Sequence, residues 1–134
     1  MPMALSEWTP RAQGLLRVVV SFLFLQHATA KFFGVPHVEG LDHVQLQSLI
    51  GAAGVIELVG GALVLIGLAT RPAAFVLSGE MAFAYFMAHA PHGQGWWSPI
   101  LNHGEPAVLY CFVFLFLAVA GAGALSVDRA RGAA

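Results

Sequence analysis

The chain has 134 residues, 58% hydrophobic and 10% charged, with a formal net charge of −1 and a mean hydropathy of +0.76. Soluble domains carry about 25% charged residues, so this composition excludes an ordinary water-soluble domain, and the lack of a basic tract excludes a nucleic-acid binder. The single cysteine, Cys111, excludes an internal disulfide and a CxxC thiol-exchange pair, and in its apolar run it reads as a small hydrophobe.

Residues 1–11 are a short amphipathic lead. The first apolar span covers about 12–33. Its centre, VVVSFLFL, has the form of a signal-peptide core, with Ala28-Thr29-Ala30 as the cleavage pattern. The acid Glu7 in the lead and the cargo of Arg17, Gln26, His27 and Lys31 argue against removal, so the segment is expected to stay. A polar loop follows, carrying His37, Glu39, Asp42 and His43.

The second span, about 48–70, holds one charge, Glu57. It is long enough to cross about 30 Å of hydrocarbon. At about 100° per residue, Ala53, Gly54, Glu57, Gly60, Gly61 and Val64 share a face. The carboxylate therefore lies in a seam of small residues, where a second helix can approach closely. An acid in a membrane span faces protein rather than lipid. Arg71-Pro72 marks a tight turn into a third span, about 72–90. A Gly-, Pro- and His-rich loop with Trp96 and Trp97 comes next, with its tryptophans suited to the membrane interface. Asn102 and Glu105 read as a capping box for a fourth span, about 105–125.

The fold expected is all-α, a single domain over 1–134. It is a four-helix transmembrane bundle running up-down-up-down, with backbone groups satisfied inside helices. Arg11, Arg17, Arg71, Arg129 and Arg131 outnumber Lys31, which places both termini in the cytoplasm.

Depth along each helix, at 1.5 Å per residue, suggests which charges meet. From the cytoplasmic edge, Arg17 lies at about 8 Å and Glu80 at about 12 Å. Glu57 lies at about 18 Å, His27 at about 22 Å, and Lys31 and Glu105 at about 28–30 Å. The expected pairs are Arg17–Glu80, His27–Glu57 and Lys31–Glu105, the first a structural ion pair. His27 beside a carboxylate in an apolar slot would suit proton exchange with a quinol or binding of a small ligand. As metal donors, the sets His89, His92, His103 with Glu105, and His37 with Asp42 and His43, match no tight ligand spacing, so solvated histidines and no metal are expected.

The chain resembles the DoxX family over nearly its whole length. The matching residues are Arg17, His27 and Lys31 in the first span, and Glu57-Leu-Val-Gly60-Gly61, Gly67 and Arg71 in and after the second. Met81 matches in the third, then Asn102-His-Gly-Glu105 and Gly121-Ala-Gly123-Ala-Leu-Ser126-Val-Asp128. Ala28 departs from the family, which often has glycine there. The resemblance implies a multi-pass protein of the bacterial inner membrane. Its lipid-embedded bundle would serve as an accessory subunit in quinone-linked redox metabolism, with a redox partner enzyme or a second copy alongside. His27, Lys31, Glu57, Asn102 and Glu105 would form the interior polar site, with a quinone as the cofactor to test. The sequence has no flavin, haem or iron–sulfur motif, so any catalysis would be that of a subunit in a quinone-linked oxidoreductase. Two alternatives stand beside this: a non-catalytic scaffold or anchor with structural charges, and a small-solute carrier.

Overall fold

A computed structural model describes residues 4–41 and 44–133. Asp42 and His43, named above as metal donors, lie outside the described residues. Among the described residues the protein is all-α, without strands. Helix α1 spans Thr9–Phe33, α2 Leu49–Ile66, α3 Thr70–Ala84, α4 Pro99–Asn102, α5 Glu105–Ala120 and α6 Val127–Ala130. A single 3-10 turn, Leu5–Trp8, leads into α1.

The ends of these helices follow from local chemistry. Pro10 sits in the first turn of α1, where its missing N–H costs nothing. The Ser48 hydroxyl accepts a hydrogen bond from the Gly51 N–H at 3.0 Å and caps α2. At the other end of α2, Gly67 takes a left-handed conformation with φ of 72°. The Leu68 N–H then bonds the Leu63 carbonyl and the Gly67 N–H bonds that of Val64, the two bonds of a Schellman stop. The second helix therefore ends at Ile66, short of the expected 70. The third begins at Thr70, ahead of Pro72. Beyond Ala84 it continues as one π turn, Tyr85–His89, closed by the Ala90 N–H on the Tyr85 carbonyl.

The fourth long helix, α5, is shorter than expected. It stops at Ala120 because Gly121 leaves helical space, and residues 121–125 fold back over α1. The expected capping box is absent. The N-cap of α5 is Gly104, with no side-chain cap, and Asn102 instead accepts the Gly104 N–H through Oδ1 at 2.9 Å. Asn102 faces the loop rather than the next helix, so Glu105 has no reciprocal partner there.

In space the long helices pack in the order α1, α2, α3, α5, and α1 meets α5 through large aromatic side chains rather than by close backbone approach. The seam of small residues in α2 serves both neighbours. A side chain at Gly61 would meet Leu25 of α1, and one at Gly60 would meet Leu77 of α3. Phe24, Val64, Leu77, Phe114 and Leu117 are fully buried, and the Phe24 and Phe114 rings meet edge to face with centroids 4.9 Å apart. Outward, each long helix exposes large apolar side chains, among them Phe22, Val59, Phe75 and Phe112. A water-soluble monomer rarely shows so much apolar surface. The segments Leu5–Phe33 and Leu49–Ile66 are long and apolar enough to cross a membrane, and Glu105–Ala120 is apolar but shorter.

Candidate functional site

Arg17 and Glu80 do not pair. Arg17 is fully buried near the end where α1 begins, and its guanidinium is used on backbone. Nε donates to the Ala122 carbonyl at 2.8 Å, and Nη1 to Val64 at 2.9 Å and to Leu65. Nη2 donates to Leu125 at 2.7 Å and Ala124 at 3.3 Å. Val64 and Leu65 lie at the C-terminal end of α2, where carbonyls carry partial negative charge, and Ala122, Ala124 and Leu125 lie in the non-helical segment after α5, so a planar five-donor cation suits the set. Asp128 does the complementary task. Its carboxylate accepts the Ala69 N–H at 2.8 Å and the Thr70 N–H at 2.9 Å, capping α3 from the far end of the chain. Burial pushes the Asp128 carboxyl up, but the hydrogen bonds from Thr70 and Ala69 and the nearby Arg131 outweigh it, leaving it below the usual carboxylate range.

Glu57 is buried, 3% exposed, but its partner is not the one depth suggested. Lys31 Nζ donates to Glu57 Oε2 at 2.7 Å, with the two side chains 9% and 4% exposed. This is the one salt bridge among the described residues. Counting depth at the backbone misplaces Lys31, whose four-carbon stem reaches down from the end of α1 to the acid. Glu80 of α3 comes to the same place. Its carboxyl lies within hydrogen-bond reach of Glu57 and in the field of Lys31. His27, one turn before Lys31, is in the field of both Glu57 and Lys31, while its ring lies at the molecular surface. There it meets Phe24 and Tyr110, with centroids 6.0 and 5.8 Å away. Lys31 from α1, Glu57 from α2 and Glu80 from α3 thus form one cluster, with His27 outside it against Phe24 and Tyr110.

Glu105 is not part of it. It is exposed at the start of α5 and lines a shallow recess with His103 and Pro99. Asn102 is buried but structural. Its Nδ2 donates to the Tyr85 hydroxyl at 3.0 Å and the Gly95 carbonyl at 3.1 Å, and Tyr85 in turn donates to the Trp96 carbonyl. His89 Nδ1 lies 3.2 Å from the Asn102 carbonyl. Among the described residues no three His, Cys, Asp or Glu side chains converge to hold a metal. Glu80, which the sequence assigned to Arg17, is the member missed. No signal in the sequence places it there, because the engagement of Arg17 by backbone is visible only in the structure.

A pocket of about 680 Å³ opens beside the cluster, between the end of α1, α2 and the first loop. Ala30, Phe33, Leu46, Val55 and Leu58 give it apolar walls, and Lys31 is its charged residue.

Residues 12–90 match the sequence pattern of the DoxX family. An uncharacterized protein of Haemophilus influenzae is 42% identical over 125 residues, which cover 92% of this chain and 93% of that relative. No solved structure matches the chain.

Proposed function

The chain belongs to the DoxX family, and on that premise we propose that it is a four-pass subunit of the bacterial inner membrane, working in quinone-linked redox metabolism. In this reading α1, α2, α3 with its π turn, and α5 cross the bilayer in alternating directions. The arginine-rich end, with both termini, faces the cytoplasm. The Lys31 pocket then opens near the outer leaflet.

The observation that carries the reading is the pocket itself. Its volume falls within the range of small-molecule sites, about 300–1,000 Å³, and its apolar walls end on a single cation. A quinone presents this combination in reverse, an apolar ring and tail with two carbonyl oxygens. Lys31, held by Glu57, would donate to one of those oxygens. The chain would bind and orient the quinone, and a redox partner would supply the electrons. Arg17 and Asp128, both used on backbone, favour a scaffold role for the arginine-rich end alone.

The experiment is native mass spectrometry with lipid extraction on the detergent-purified protein. A co-purifying quinone in the wild type, lost in Lys31→Met while the bundle stays folded, is the expected result. A folded wild type that is empty and fails to take up added ubiquinone-1 would remove the quinone reading and leave the scaffold.

A further inference from the structure

The cluster contains one more acid than its ion pair uses. Lys31 and Glu57 neutralise each other at 2.7 Å. Glu80 then remains, against Glu57 and in the same field. Oε2 of Glu80 is fully buried, and no N–H or hydroxyl among the described residues reaches it. Two ionised carboxylates cannot hydrogen-bond, because each offers only acceptors. A bare carboxylate oxygen in an apolar interior, beside a like charge, is among the costliest arrangements a helix bundle can hold. One proton between the two acids removes both costs. Glu57 already accepts from an ammonium, so it keeps the negative charge and Glu80 is the donor.

We propose that this cluster is a proton-binding site in which the Glu80 carboxyl donates a shared proton to the Glu57 carboxylate. With Glu80 protonated, Lys31, Glu57 and Glu80 sum to zero charge, so the site buries no net charge. The groups facing the cluster are Lys31 and His27 from α1, Glu57 from α2 and Glu80 from α3. Tyr110 of α5 lies against His27, and Cys111 lies beside Ser78 one layer away. This proposal goes beyond the quinone reading and holds whether or not a quinone binds.

Infrared spectroscopy of the full-length protein in lipid nanodiscs tests it. At neutral pH the wild type should show a protonated-carboxyl C=O stretch that shifts in heavy water. Glu80→Gln, which mimics the neutral acid, should abolish that band with little change in melting temperature. Glu57→Gln should lower the melting temperature by stranding Lys31. A wild type with no such band would overturn the proposal, as would a band that survives in Glu80→Gln. If Glu80→Gln does not fold, the wild-type titration decides alone: the band must be present at neutral pH and fall as the pH is raised, and its absence overturns the proposal. Quinone content enters none of these readouts.

Discussion

At the arginine-rich end, every buried charge meets backbone. Arg17 gives all its donors to carbonyls at the end of α2 and in the segment after α5, and Asp128 takes the first N–H groups of α3. These contacts tie four segments distant in sequence, and the donors of Arg17 and both oxygens of Asp128 have fixed backbone partners that cannot titrate. In the Lys31 cluster, by contrast, side chains meet side chains, the acids outnumber the base they touch, and one buried oxygen has no donor. The first arrangement is complete and can only hold shape. The second has a spare protonation state, and that is what a functional site requires. A buried charge in a membrane bundle is thus better judged by what its partner is than by how deeply it lies.

Arg17 should separate the two regions most strongly. Arg17→Met strands carbonyls at the end of α2 and frees the 121–125 segment. The expected loss is about 3–5 kcal/mol, visible as a large drop in the thermal unfolding midpoint in detergent. Arg17→Lys should recover little, because an ammonium cannot span the same five acceptors. A full rescue by lysine would mean that charge rather than geometry holds this end.

Glu57 comes next. Glu57→Gln leaves the Lys31 ammonium unpaired and should cost about 3 kcal/mol. Combining it with Lys31→Met should restore much of that loss, since removing both charges also removes their desolvation. No comparable double variant exists for Arg17, whose partners are backbone. If the double variant is as unstable as the single one, the cluster is structural in the same sense as the other end.

How much of this was legible in the sequence divides along the same line. The all-α character and the Glu57 face with Gly54, Gly61 and Val64 buried follow from helical periodicity, because one helix's face depends only on its own residues. The bonds of Arg17 were hidden because their acceptors are backbone carbonyls of α2 and of the uncharged segment 121–125. The Lys31–Glu57 bridge was hidden because depth was counted at the backbone, and a lysine side chain moves its charge by more than a helical turn. Asn102 was read as a cap for α5, yet it holds the Tyr85 and Gly95 side of the loop. A buried amide can serve either purpose, and only the turn geometry at Gly104 decides.

Asp128 gives a smaller effect with a sign. Asp128→Ala removes both caps on α3 and should cost about 1–2 kcal/mol at neutral pH. The folded carboxyl titrates below its ordinary value, so its contribution is complete above about pH 4 and is lost as pH falls through the folded value. Melting curves of wild type and variant should therefore converge in acid. A gap that stays constant would show that Asp128 acts through packing and not through its charge.

The smallest effect concerns two glycines. Gly14 of α1 lies against the Ala124 carbonyl, and a methyl group there would collide with backbone that cannot move. Gly79, next to Glu80, has nothing within 4 Å of the position a Cβ would take. Gly79→Ala should therefore add helix propensity without strain and raise stability by up to about 1 kcal/mol, read as a modest rise in the unfolding midpoint. The position is open because α3 turns this face outward, away from the packed seam of α2. If alanine there is destabilising instead, a partner or a second copy must approach Gly79 closely in the membrane. That surface would then adjoin Glu80, placing the partner where the proton of the cluster could be exchanged.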